Sequence, residues 1–384
     1  MAGILITHNQ YRSTSPSGEN IAVERQRELL TSAGFAVQSW SKDSDELVSV
    51  APFARMLAAL RLAGSLTQRR AFTQRLVAAR IAGASVVHLH NPWPLFTYDV
   101  ALAAHDAGLP LVQTLHNYRL FGTNNRLVKG GTIRRAQNVS EMFQIVNMAN
   151  NHGRLANVFY NHALNLWWRR GIPQTAVDRY VCLTAFQQRL AIAAGIPGQR
   201  TVVVPNFLHH QGPIGNGPGN YVLFVGRLDK TKGIDRLMRW WPLNGPPLRI
   251  VGDGPLANIV VGHPNITYMG RQPFPMVQRL MSEARYVLLT STWYEGFPLV
   301  ILEAFAAGTP CMVPDLGGLP EIVSEGKTGA VYQSSNDQEA VDAACRLWDI
   351  APTMRASCRA EYEEKYTSER HLSSLRKIYA EISP

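Results

Sequence analysis

The chain has 384 residues, 46% hydrophobic and 17% charged, with 30 glycines and 23 prolines, a balance that suits two α/β lobes and excludes a disordered, fibrous or small disulfide-stapled protein. The formal net charge of +10 is one-sided: residues 1–205 hold 21 Lys and Arg against 10 Asp and Glu, whereas residues 206–384 hold 17 against 18. The first half is therefore expected to meet an anionic partner or surface.

In chain order, residues 3–8 read as a buried strand, followed by a polar loop rich in Ser, Pro and Gly and by a helical pattern over 20–32 that Gly34 ends. No basic segment and cleavage site flank an apolar core, so no signal peptide is expected. Residues 35–40, 85–90, 109–115 and 179–184 are further short apolar runs of strand type, with helical patterns between several of them. This alternation predicts a mainly parallel sheet with helices on both faces. Cys182, Cys311, Cys345 and Cys358 stand outside any CxxC or Cys/His pattern and are expected to be buried thiols.

Residues 205–220 combine three prolines and four glycines with little periodicity, as an interdomain linker would. The rhythm then restarts, with strands expected over 221–225, 248–251, 266–269, 286–290 and 310–313 and helices over 233–240, 275–282 and 298–307. That predicts a second doubly wound lobe. The tail, 360–382, reads as one amphipathic helix expected to pack back across the first lobe. No apolar run approaches the ~20 residues of a membrane span. The expected location is cytoplasmic, with peripheral contact to the inner face of the cytoplasmic membrane.

Two runs in the second half carry chemistry. From Glu295 to Glu303 the sequence is EGFPLVILE, in which a carboxylate ends a strand, a Gly-Phe-Pro turn opens a helix, and Glu303 lies on that helix. Pro298 suits the first helical position, so the N–H groups of Gly296, Phe297 and Leu299 are expected to point from the helix start towards sugar hydroxyls or phosphates. Taken alone, Glu295 also reads as a complement to the helix dipole and Glu303 as a solvated side chain. From Gly226 to Gly233 the sequence is GRLDKTKG, where the planar fork of Arg227 and the mobile charge of Lys232 can neutralise one diphosphate without a metal. Taken alone, a solvated basic turn is the plainer reading of that loop.

Together these runs resemble glycosyltransferase family 4, of the GT-B fold, whose members carry a G-R-L-x-x-x-K-G loop and an E-x7-E segment in this order. Val251-Gly252-Asp253-Gly254-Pro255 matches the family's G-x-G-P turn and Val204-Pro205-Asn206 the start of its linker. The resemblance implies an α/β, GT-B architecture: two doubly wound, Rossmann-like parallel-sheet lobes with an interdomain cleft and a C-terminal crossover helix. It gives 1–205 as the acceptor-binding lobe, 206–365 as the nucleotide-sugar lobe and 366–384 as the helix packing back on the first. By the same resemblance Arg227 and Lys232, with Gly226, hold the donor diphosphate. Glu295 and the segment Gly296, Phe297, Pro298 and Leu299 hold the transferred sugar, Glu303 hydrogen-bonds the ribose, and Met269 and Arg271 border the base.

In the first half, residues 13–20 resemble the family's glycine-rich loop, with one glycine, Gly18, where many members have two. A glycine before a helix lets backbone approach phosphate closely, and a plain surface loop is the alternative. His116 matches the family's active-site histidine at a strand end, while Asn117 departs from the Asp often beside it. His88 and His90 share a strand; only one is expected to face the cleft, and no further ligands accompany them for a metal. Residues 119–124 lack the cysteines that polysaccharide-assembly members often carry there.

The resemblance implies a retaining transfer. The leaving phosphate, stabilised by Arg227 and Lys232, takes the acceptor's proton, Glu295 orients the sugar, and His116 completes the pocket. The donor is expected to be a UDP- or GDP-linked sugar, with no cofactor and no metal. The acceptor is expected to be a glycan or a lipid-linked molecule of cell-surface polysaccharide or glycolipid synthesis. Arg55, Arg61, Arg69, Arg70, Arg75 and Arg80 interleave with Phe53, Met56, Leu57, Leu60, Leu62, Leu66, Phe72 and Leu76, and Trp167 and Trp168 precede Arg169 and Arg170. Basic helices with exposed aromatics suit an anionic membrane surface. Nucleic acid is the rival anionic partner, with no recognised module to accompany the charge, and a sugar-nucleotide epimerase of the same fold is the rival enzyme.

Overall fold

The computed structural model describes residues 3–11, 18–47, 61–121, 154–210 and 212–383. Among these, one unit takes the residues up to Val204 together with those from His371 onwards, and the other takes Pro205–Arg370.

The first unit is built on β1 (Gly3–Gln10), β2 (Ala36–Asp43), β3 (Ala84–Leu89), β4 (Leu111–Leu115), β5 (Arg179–Cys182) and β6 (Thr201–Val203). They pair in parallel in the order β2-β1-β3-β4-β5-β6. The chain leaves β1 for β2 on one side and returns to β3 on the other, so the direction of winding switches between β1 and β3. Ile4 and Ile6, two apart on β1, and Val86, Val112 and Val181 on three further strands share one core with Leu375, Ile378 and Tyr379 of the helix Ser368–Ile382. Period 2 on a strand and a three-to-four spacing on a helix put these side chains on one face each. Full burial of each such apolar side chain is worth about 1.5–3 kcal/mol.

The second unit repeats the plan with β7 (Val222–Val225), β8 (Leu248–Val251), β9 (Ile266–Gly270), β10 (Tyr286–Leu288), β11 (Cys311–Pro314) and β12 (Gly329–Tyr332). Their order is β12-β11-β10-β7-β8-β9, again parallel. Here the switch lies between β7 and β10. Two doubly wound parallel-sheet units are what the strand and helix rhythm predicts.

Several local expectations differ from the structure. The strands β6 and β12, three and four residues long, are not among the expected ones, although β10 and β7, equally short, are. The tail is two helices, Arg355–Lys365 and Ser368–Ile382. They break where the Leu208 amide donates to the Tyr366 carbonyl at 3.0 Å and Leu208 bridges Thr367, a long-range contact that helix propensity cannot anticipate. Cys182, Cys311 and Cys358 are buried as expected, and burial pushes the Cys182 and Cys358 thiols up to about 12. Cys345 is exposed, because the helix Asp337–Ile350 turns Ala343, Ala344 and Leu347 inward instead. No described helix is long and apolar enough to cross a membrane.

Candidate active site

In the second unit, chemistry gathers at the carboxyl ends of β7 and β10, the adjacent strands where winding reverses and where doubly wound sheets bind ligands. The loop after β7 is seated first by glycine. The Gly226 amide donates to the Val251 carbonyl at 3.0 Å, and a Cβ on Gly252, whose φ is 139°, would lie 1.9 Å from the Gly226 oxygen. Asp229 then aims the cations: its Oδ1 accepts from the Thr231 and Lys232 amides at 2.9 and 3.0 Å, and its Oδ2 accepts from Arg227 Nε at 2.5 Å. Burial alone would raise the Asp229 carboxyl, but Thr231, the Lys232 amide and Arg227 hold it below the usual range.

The loop after β10 is stitched to this one. Gly233 has φ 70°, and a Cβ there would lie 2.0 Å from the Thr290 oxygen. Thr290 Oγ1 donates to the Lys232 carbonyl at 2.6 Å, and the Thr292 amide to the Thr231 carbonyl at 3.0 Å. The result is a convergence on one carboxylate oxygen. Lys232 Nζ, Ser291 Oγ and Trp293 Nε1 donate to Glu295 Oε1 at 2.6, 2.5 and 2.7 Å. The Glu295 side chain is only 11% exposed. Burial works against its charge, yet Lys232, Ser291 and Trp293 together hold its carboxyl below the usual carboxylate value.

The other sequence-predicted residues of this unit fall around that junction. Pro298 is extended and caps the helix Leu299–Ala306 rather than opening it. The turn is set from outside: Phe297 is buried, its carbonyl accepts from Asn206 Nδ2 at 3.3 Å, and its ring meets that of Tyr366 at 5.7 Å. Gly296, Leu299 and Glu303 are part-exposed. Met269 lies near the end of the edge strand β9, one strand beyond β8, and Arg271 just past it, with Met269 half-buried and Arg271 exposed. Sequence reading missed Asp229, Ser291 and Trp293; the one available signal was Asp229 ahead of a Lys-Thr-Lys turn, an N-cap position.

In the first unit the corresponding place is the end of β1 and β3. The His90 amide donates to the Thr7 carbonyl at 2.9 Å and the Asn9 amide to the Asn91 carbonyl at 2.8 Å. Beside them, after β4, His116 lines a small pocket with His90, Trp93, Gln113, Asn117 and Arg119. Asn117 Nδ2 donates to Glu19 Oε2 at 3.0 Å and to the Tyr11 hydroxyl at 3.3 Å, while its Oδ1 accepts from the Arg119 amide at 3.0 Å. An Asp there would set two carboxylates against each other. Gly18 begins the helix Gly18–Ser32, and a Cβ on it would meet nothing within 4 Å.

Of His88 and His90, only His90 lines the pocket beside His116, although both are buried. Residues two apart on a strand share a face, and the two rings are stacked with centroids 4.5 Å apart, at 0% and 2% exposure. Burial pushes His88 down to about 3 and His116 to about 4, and His90 well below its ordinary value, so the three are neutral at physiological pH. No group of described residues could hold a metal ion.

The expected exposed aromatics are also corrected. Phe72, Leu76 and Leu62 are buried, as is Trp167, whose Nε1 donates to the Leu62 carbonyl at 2.8 Å; Trp168 Nε1 donates to the Leu120 carbonyl at 2.9 Å. The helix Leu66–Ile81 turns its apolar stripe inward. Arg69 pairs with Asp106 at 2.5 Å, and Arg80 donates to the Ala107 carbonyl at 2.9 Å. Arg55, Phe53, Met56, Leu57 and Leu60 lie outside the described residues.

Comparison with known proteins agrees on both halves. Residues 23–211 match Glycosyltransferase Family 4 and residues 219–349 match Glycosyl transferases group 1. An uncharacterized glycosyltransferase of Methanocaldococcus jannaschii is 28% identical over 193 residues, 48% of this chain and 54% of that protein. N-acetyl-alpha-D-glucosaminyl L-malate synthase of Bacillus anthracis is 30% identical over 146 residues, 35% of this chain and 37% of that protein. The chain thus spans about half or less of the curated relatives it matches. Among solved structures, sucrose-phosphate synthase of Thermosynechococcus elongatus superimposes with a TM-score of 0.69 at 14% identity, covering 100% of this chain and 99% of that one. A lipopolysaccharide outer core galactosyltransferase superimposes with a TM-score of 0.65 at 16% identity, covering 100% of each. With both halves matched in order, on the GT-B architecture of these neighbours, the chain belongs to glycosyltransferase family 4.

Proposed function

We propose that the chain transfers a hexose, with retention and without a metal, from a nucleotide-diphosphate sugar to a glycan or lipid-linked acceptor in polysaccharide or glycolipid assembly. The observation that carries this reading is the contact of Lys232 with Glu295 at 2.6 Å at the switch point of the second sheet. A cation for a leaving diphosphate and an ionised carboxylate for a sugar hydroxyl stand there side by side. Arg227, with 40% of its side chain exposed, offers a fork to the same phosphate oxygens. Charge growing on the β-phosphate is met by both cations and by amides around Gly296, Phe297 and Leu299, each worth a few kcal/mol. The phosphate, rather than a side chain, takes the acceptor's proton. Glu303 is assigned to the ribose, Met269 and Arg271 to the base, and His116 and the helix start at Gly18 to ligand contact in the first unit.

An Anabaena protein of similar fold was solved with UDP and with UDP-glucose, which makes UDP-sugars the first donors to try. Similarity to an exopolysaccharide phosphotransferase of Streptomyces coelicolor, 30% over 200 residues, supports the polysaccharide setting. Thermal-shift screening against UDP- and GDP-sugars identifies the donor, and the anomeric configuration of the product tests retention. An inverted product, or loss of transfer on adding a chelator, would overturn the corresponding part. Conversion of the nucleotide sugar with no acceptor present would favour an epimerase. Glu303→Ala is expected to weaken donor binding about tenfold, the equivalent of one hydrogen bond to a charged group; an unchanged donor Kd would remove Glu303 from the ribose.

A second reading concerns the acceptor surface. Leu66, Val77 and Ile81 are exposed on the helix Leu66–Ile81 together with Arg70 and Arg80, and we propose that this face rests on an anionic membrane. Sedimentation with phosphatidylglycerol vesicles should be lost in Arg70→Glu and weakened by salt; equal binding to neutral vesicles would sink the electrostatic part.

A further inference from the structure

A buried hydrogen-bond chain holds the His116 ring from behind, and its far end decides the protonation of the near one. The start is Tyr379, 2% exposed, whose hydroxyl lies 2.6 Å from His88 Nδ1 and has no other described partner. If His88 carried its proton on Nδ1, the buried Tyr379 hydroxyl proton would be left without an acceptor, at a cost of about 1–3 kcal/mol. The Tyr379 hydroxyl therefore donates, His88 Nδ1 accepts, and His88 Nε2 donates to Thr114 Oγ1 at 2.7 Å. The Gln26 amide approaches the same His88 Nδ1 at 3.1 Å. Facing a lone pair, it presents its NH2, which donates but cannot accept. Its oxygen is thereby turned towards His371 Nε2, 3.3 Å away.

That orientation propagates. The Gln26 NH2 also faces His90 Nε2, at 3.5 Å, so His90 Nε2 accepts. A neutral imidazole has one donor and one acceptor, which puts the His90 proton on Nδ1. His90 Nδ1 lies 2.9 Å from His116 Nε2, so His116 Nε2 accepts in turn. The remaining proton of neutral His116 stands on Nδ1, for which no described residue supplies a hydrogen-bond partner and which belongs to a ring lining the pocket with Trp93 and Gln113.

We infer that His90 is a positioning residue that fixes His116 as the neutral Nδ1–H tautomer, so that His116 meets its ligand as a hydrogen-bond donor and not as a base. A donor of this kind suits a sugar hydroxyl or phosphate oxygen, and it leaves the acceptor's proton to the departing phosphate. The inference rests on the assignment of His116 to ligand contact made above.

The full-length protein, labelled with 15N at histidine, tests this in a long-range proton–nitrogen correlation spectrum at neutral pH. His116 is assigned by the signal lost in His116→Gln. The wild type is expected to show His116 protonated at Nδ1 and bare at Nε2; the reverse would overturn the inference without any variant. His90→Asn keeps a donor where Nδ1 stood and should retain that spectrum. His90→Asp offers only an acceptor and should move the His116 proton to Nε2, with turnover lower by about 10–100-fold, the equivalent of losing one hydrogen bond to a charged ligand group. A folded His90→Asp protein with the wild-type tautomer would also overturn it. If His90→Asp does not fold, the wild-type and His90→Asn spectra decide. Sugar transfer by His116→Gln at the wild-type rate would overturn the ligand contact itself, whatever the tautomer.

Discussion

Lys232→Ala is expected to lower kcat/KM for sugar transfer by about 10²–10³-fold, the loss typical of removing one preorganised group that faces developing charge. Two effects coincide. The leaving diphosphate loses a point charge, and Glu295 loses the strongest of the influences that keep it ionised in a site where burial opposes its charge. The pH dependence has a definite sign. In the wild type the folded-state carboxyl sits below its ordinary 4.5, so the stability it contributes is fully present above that value and is lost as pH falls through the folded one. Without Lys232, Ser291 and Trp293 remain, but burial counts for more, and both the acid limb of activity and the onset of acid unfolding should move to higher pH. Initial rates against donor concentration, with circular dichroism during acid titration, measure the two separately. Transfer at the wild-type rate would remove Lys232 from the mechanism. Glu295→Gln keeps the shape while removing the charge and should lose activity to a similar degree.

Gly233→Ala should destabilise the second unit by about 2–5 kcal/mol, combining roughly 1–2 kcal/mol for an L-residue in the left-handed region with about 1–3 kcal/mol of overpacking. The cause is at the joint between the two loops. The methyl group would lie 2.0 Å from the Thr290 oxygen, and Thr290 cannot easily retreat: it is 3% exposed, and its hydroxyl is bound to the Lys232 carbonyl. At roughly 2–4 °C per kcal/mol for a unit of this size, the Tm of that unit should fall by about 4–20 °C in calorimetry. An unchanged Tm would mean the loops can separate without cost, and the Lys232–Glu295 contact would then owe nothing to their junction. Gly252, whose Cβ would lie 1.9 Å from the Gly226 oxygen, should behave alike.

The Gly226–Gly233 and Glu295–Glu303 runs were legible because each is local chemistry: a turn after a strand, a charge beside it, a helix start. The strand and helix alternation was legible for the same reason, apart from β6 and β12. Local reading also misjudged what adjacent residues do not determine. The apolar and aromatic residues among the first-half arginines read as an exposed surface, yet Trp167 spends its indole N–H on Leu62, 105 residues away. The tail read as one helix, and an amide from residue 208 divides it.

Sequence by itself determined two doubly wound sheets, the glycines at their turns and the residue types at their strand ends, since those follow from side-chain periodicity and backbone freedom within a few residues. Only the tertiary structure decided which groups touch. Lys232 meets Glu295 across 63 positions, His88 meets Tyr379 across 291, and His371 meets Gln26 across 345. The proton on His116 is the sharpest case. A histidine's tautomer is set by the partner of its other nitrogen, and here that partner, His90, is set through three further side chains, Gln26, His88 and Tyr379, brought together by the sheet, the first helix and the last.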